Sequence, residues 1–294
     1  MRRASIGLHW ILIGIVGAII IIFFYSIASK QAKLNEREIE IGVSSRIATV
    51  LREAQGEGET YKETNIPLLA TKELEARCID EKLYIDLGGS RVNIPGAIPF
   101  IPRRVGGGNV LIITNSLEVP FNIGIGVTMI DKNTRIIDGY GLGFPEEITS
   151  ESCEKGVRCI CVNRREKDCD EHIEIDNSEK LIKINGKEYE YLGDGMLKLA
   201  VIAGDNYNCS LALIQERAAI IASILQERVE KIMDNLDCNN PSYNYDCCLL
   251  LSLANQSYAA IVGNNGNIKI LKNEYSTLKN IQRDAYIKNC PDIY

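Results

Sequence analysis

No charged side chain falls between Arg3 and Lys30 in this chain of 294 residues. The stretch from Ile6 to Ala28 is almost wholly apolar, and about two dozen such residues suffice for one helix across a hydrocarbon layer of ~30 Å. A single membrane span over residues 6–29 is therefore expected, behind a cytoplasmic tail of residues 1–5. Trp10 and Tyr25 lie near its two ends, where amphipathic rings favour the membrane interface. Arg2 and Arg3 hold the N-terminus in the cytoplasm by the positive-inside tendency, against the opposing pull of Lys30, Lys33 and Arg37. A cleaved secretory signal has a shorter apolar core, of about 7–15 residues, and a small-x-small site. Tyr25-Ser-Ile-Ala-Ser is only a passable version of that site, so an uncleaved anchor is the reading adopted. His9 and Ser26 read as interfacial or helix-packing residues.

The compartment of the remaining chain follows from its cysteines. There are ten, at Cys78, Cys153, Cys159, Cys161, Cys169, Cys209, Cys238, Cys247, Cys248 and Cys290. An even count suits a fully oxidised set outside the cytoplasm, although spacing alone leaves the connectivity open. The neighbours Cys247 and Cys248 bond to each other only with strain, so each is expected to have its own partner. Asn208-Cys-Ser and Asn255-Gln-Ser match the acceptor pattern for asparagine-linked sugar and point to the same side of the membrane.

Charge narrows the partners. Of 33 basic side chains, Arg2 and Arg3 precede the anchor, which leaves 31 against 39 acidic ones and a net charge of −8 beyond it. Nucleic acid is excluded as a partner, because its affinity rests on lysine and arginine neutralising phosphates. The balance suits a soluble, acidic domain outside the membrane.

Periodicity organises the rest. Ile39, Val43, Ile47, Val50 and Ala54 recur at helical spacing and read as an amphipathic stalk, so that residues 30–63 form stalk and linker. Residues 64–204 read as a β-rich domain. Within it, Lys82-Leu-Tyr-Ile-Asp-Leu and Val110-Leu-Ile-Ile-Thr-Asn are strands, and the alternation from Phe121 to Ile130 predicts a half-buried one. Asn185-Gly186 supplies the positive φ angles of a tight hairpin turn. Leu197-Lys-Leu-Ala-Val-Ile-Ala is read as a strand closing the β region. Residues 205–294 turn helical: Asp205 is a plausible N-cap, and Leu211, Ile214, Ala218, Ile221, Leu225, Val229, Ile232 and Leu236 form one stripe. Two shorter helices are expected, from about Asp246 to Val262 and from about Lys272 to Lys288. The fold class is α+β, with the helical region packed on the β-rich domain.

Few residues suggest chemistry. Cys153, Cys159, Cys161, Cys169 and His172 have zinc-ligand types, yet lack the paired Cys-x2-Cys knuckles of zinc sites. Two disulfides stapling a charged hairpin tip at Arg164-Arg-Glu-Lys-Asp are the expected alternative. Arg103-Arg104-Val-Gly-Gly-Gly has the composition of an anion cradle, but no helix evidently follows it to lend an N-terminus. It reads as a turn, and so does Asp194 in Leu-Gly-Asp-Gly. Glu146 and Glu147 read as solvated surface. His172 is the one histidine placed to serve a nucleophile, and no serine, paired-carboxylate or metallohydrolase motif accompanies it. No cofactor and no enzymatic activity are expected.

Two resemblances add to these residues. Ile98-Pro-Phe-Ile-Pro-Arg, then Leu111-Ile-Ile-Thr-Asn-Ser-Leu-Glu-Val-Pro-Phe-Asn-Ile, with the Cys209 helix behind them, resembles uncharacterised membrane-anchored exported proteins of archaea. That resemblance implies the archaeal cell envelope and no particular activity. Arg2-Arg3-Ala4-Ser5, the apolar helix and the stripe from Ile39 to Ala54 resemble type IV pilins and pilin-like proteins. The sequence departs from those at Ser5, at His9 where many carry glutamate, and in its long helical C-terminal part. Together these readings predict an extracytoplasmic envelope protein with a structural, assembly or recognition role, working with an envelope partner or by self-assembly. A pilin-like filament subunit is the alternative, and an exported enzyme a third.

Overall fold

The computed structural model describes residues 74–80, 82–87, 97–106, 108–118, 120–164, 169–238 and 245–291, the backbone of 60–66 and 90–92, and helical residues at 22–23, 25–27, 29–31 and 49. Most of the expected membrane span and stalk lies outside the described residues. Within the span, Ile22, Phe23, Tyr25 and Ile27 are helical and exposed.

The described chain is α+β, and from Thr60 onward strands come first and helices after. The strands are β1 (Thr60–Ile66), β2 (Leu74–Ile79), β3 (Lys82–Leu87), β4 (Ser90–Val92), β5 (Ala97–Pro99), β6 (Arg104–Val105), β7 (Gly108–Glu118), β8 (Asn122–Asp131), β9 (Thr134–Ile137), β10 (Thr149–Ser150), β11 (Arg158–Val162), β12 (Glu171–Asp176), β13 (Leu181–Ile184) and β14 (Lys187–Glu190). The helices that follow are α1 (Gly193–Ala203), α2 (Tyr207–Asn235), α3 (Tyr245–Gly263) and α4 (Ile268–Ile287).

The strands form three sheets, in the orders β1-β7-β8-β5, β4-β3-β2-β6 and β10-β9-β11-β12-β13-β14. The first is central because β7 and β8 are apolar on both faces. Val110, Ile112, Val127 and Met129 pack with Leu74, Ala76 and Ile85 of the second sheet. The alternate residues Leu111, Ile113, Leu117 and Ile130 join α1 and the helical core on the other side. Side chains two apart share a face, so each strand serves two cores at once. A half-buried β8 is thus not what forms: Val127 to Ile130 are all buried, because layers cover both faces. A register shift at Leu117/Glu118 resets the alternation and brings Ile123 into the helical core.

The hairpin at Asn185-Gly186 forms as its dipeptide requires, with φ of 48° and 86° and Ile184 facing Lys187 across a two-residue turn. Two further local expectations differ from the structure. Leu197–Ala203 is not a strand but most of α1, where Met196, Leu197 and Leu199 to Ala203 are all buried. An apolar run this short has no period of its own, and burial on nearly every side suits helix and strand alike. The cysteine-rich segment is no hairpin either. β11 and β12 run parallel, with Ile160 opposite Glu171 and Cys161 opposite His172, so the two strands are not the arms of a hairpin.

The long helix starts at Tyr207 after a 3-10 turn at Gly204–Asn206. Asn206, not Asp205, holds the N-cap position, and its side chain serves elsewhere. Tyr207, Leu211, Ile214, Ala218, Ala222, Leu225 and Val229 form the buried stripe. At the α3–α4 turn, Gly266 has φ 66°, and a Cβ there would lie 2.0 Å from the Gln215 carbonyl oxygen, so this turn rests directly on the α2 backbone.

Candidate functional site

All ten cysteines are paired. The disulfides join Cys78 to Cys209, Cys153 to Cys159, Cys161 to Cys169, Cys238 to Cys248 and Cys247 to Cys290. Cys153, Cys159, Cys161 and Cys169 therefore have no thiolate to offer a metal. Of these residues with zinc-ligand types only His172 keeps its donor, and its Nδ1 stands 3.5 Å from the Arg164 carbonyl oxygen. Among the described residues no group of histidine, cysteine, aspartate and glutamate is arranged to hold a metal ion. Cys247 and Cys248 have separate partners, Cys290 just past α4 and Cys238 just past α2. The two bonds tie three helices together at one end of the bundle.

The Arg103–Gly108 segment does not present an open cradle where it is described. Arg103 and Arg104 are exposed, β6 pairs with β2, and the Gly106 N–H points to Asp131 Oδ2 at 3.3 Å. An internal carboxylate thus stands where an anion would bind. Asp194 lies exposed in the first turn of α1, and Glu146 and Glu147 are exposed in a 3-10 turn. Beside that turn opens a cleft of about 380 Å³, lined by the buried Leu111, Phe144 and Ile148 and edged by Lys132 and Glu147. No motif marks this cleft in the sequence, because its lining comes from three separated segments.

Sequence reasoning also missed a partly buried ion pair. Arg158 on β11 and Glu171 on β12 are bonded through Nη2 and Oε1, with side chains 21% and 14% exposed. Glu171 Oε2 lies where a side chain at Gly204 would stand and has no hydrogen-bond partner among the described residues. Burial pushes the Glu171 carboxyl above its ordinary range, and the nearby Asp205 and Asp170 add to that; the Arg158 charge and hydrogen bond only partly oppose it. The two residues come together through parallel pairing, for which the sequence carries no local signal.

The sequons have different surroundings. Asn208 is exposed in the first turn of α2, whereas Asn255 is half-buried in α3 with its Oδ1 enclosed and without a partner among the described residues. The helical stretch 193–235, which the 3-10 turn at Gly204–Asn206 divides into α1 and α2, is long and apolar enough to cross a membrane by length and composition alone. In the structure this run packs its stripe into the molecular core.

No family model matches the chain, and no curated protein or solved structure is significantly similar to it.

Proposed function

We propose that this is a single-pass, membrane-anchored protein of the cell envelope. Its extracytoplasmic domain has a structural, assembly or recognition role and catalyses no reaction. The observation that carries this reading is the complete pairing of ten cysteines. Disulfides form and persist in oxidising compartments, and reducing cytoplasm keeps thiols open. The uncharged stretch at 6–28 supplies the anchor. The acidic balance beyond it suits a domain that stays off both nucleic acid and anionic lipid. The mechanism is confinement: the anchor holds the domain at the membrane surface, and the cross-links keep it folded without assistance.

The test is mass spectrometry of the protein from native membranes, alkylated at once and analysed with and without reduction. Ten protected cysteines and an intact N-terminus are expected. Ten alkylated thiols would overturn the extracytoplasmic reading. A chain beginning at Ser5 would instead favour the pilin-like filament subunit.

A further inference from the structure

The two sequons differ in exposure in the folded protein. In the first turn of α2, Tyr207 and Cys209 are fully buried, and Asn208 between them is exposed. The Asn208 side chain therefore meets solvent in the folded protein. Asn255 is half-buried, its Oδ1 is enclosed, and Ser257 beside it is buried. Only part of that side chain meets solvent, so a sugar there is less readily accommodated than on Asn208.

The remaining residues of the first sequon limit when it can be used. Cys209 is bonded to Cys78, and the Ser210 Oγ donates to the Pro99 carbonyl oxygen at 2.6 Å with Ser210 fully buried. Recognition of the acceptor pattern requires the hydroxyl two residues after the asparagine. In the folded protein that hydroxyl is occupied, and the backbone around it is helical.

We propose that Asn208 carries an asparagine-linked glycan and Asn255 does not, and that the sugar is attached before Cys209 closes onto Cys78. The donor is a lipid-linked sugar phosphate. The Asn208 amide nitrogen forms a bond to the anomeric carbon and loses a proton to the transferase. The bond from that carbon to the phosphate oxygen breaks, and the lipid phosphate leaves. The site rests on the extracytoplasmic reading above, since such donors serve exported chains.

The test is peptide mass spectrometry of the full-length protein from its own membranes, read together with its disulfides. A sugar mass is expected on the tryptic peptide spanning 199–217, absent in Asn208→Gln, with the peptide containing Asn255 unmodified. In Cys78→Ser the acceptor stays open longer, and the occupied fraction at Asn208 is expected to rise. Intact disulfides with a bare Asn208 would overturn the glycan and leave the compartment standing. Reduced cysteines would overturn both. Sugar on Asn255, or occupancy unchanged by Cys78→Ser, would overturn the site or the order of events respectively.

Discussion

Asn206, Ser210 and Arg217 lie on one face of α2, four and then seven residues apart, and each donates to β5 or its extension. Asn206 Nδ2 reaches the carbonyl oxygens of Ile101 at 3.1 Å and Ala76 at 3.0 Å, Ser210 Oγ reaches Pro99, and an Arg217 Nη2 reaches Ala97 at 3.1 Å. β5 is the edge of its sheet, and positions 97, 99 and 101 turn the same way; at 99 a proline has no N–H to leave open. Unpaired edges invite other strands, and here helix side chains close the edge. Ser210→Ala is expected to lower stability by about 1–3 kcal/mol, the cost of one orphaned buried acceptor. Asn206→Ala, which strands two, is expected to cost more; urea unfolding of both variants checks the order. Glu171 gives a pH test. Its folded pKa is raised, so the folded state holds this proton more tightly than the unfolded one. Stability from this group is then lost as pH rises from about 4.3, the unfolded value, through the raised folded value. The wild-type midpoint relative to Glu171→Gln should decline as pH rises above the ordinary carboxylate range, and a rise would contradict the assignment.

Elements were legible where one physical signal decided them. The helical stripe of α2 and the Asn185-Gly186 turn form as their sequences require, because period and positive φ are local properties. The run Leu197 to Ala203 was not legible, since a segment buried on nearly every side shows no polar face to set its period. β11 and β12 defeated local reading too: Cys161 and Cys169 are close in sequence, and parallel pairing of the strands around them depends on the whole sheet. The candidate site divides in the same way. Cysteine pairing within 153–169 was foreseeable from proximity, whereas the Arg158–Glu171 pair and the cleft at Phe144 arise only from packing. Gly266 belongs at this scale, because it sets how closely the α3–α4 turn approaches α2. Gly266→Ala places a methyl group against the Gln215 backbone in a conformation disfavoured for alanine. A loss of about 1–3 kcal/mol is expected from overpacking, read as a lower denaturation midpoint with an unchanged m-value.

Across the whole molecule the disulfides differ in reach. Cys78–Cys209 spans 131 residues and fastens the β4-β3-β2-β6 sheet to α2, whereas Cys153–Cys159 spans 6. On a chain-entropy model the first is worth about 5 kcal/mol and the second about 2 kcal/mol. Replacing Cys78 and Cys209 together by alanine should lower the thermal midpoint more than replacing Cys153 and Cys159, and the reverse order would show that strain or residual structure dominates. The pair at 247 and 248 has a different consequence. Successive residues of a helix point about 100° apart. If Cys247 and Cys248 exchanged partners, α3 would have to roll by about that angle, turning Leu251, Ala254, Tyr258 and Ile261 out of the core they now fill. Oxidation of an unfolded chain has no means of choosing between those two isomers. The apolar side of α3 does choose, so at this end of the molecule the packing proofreads the covalent bonds.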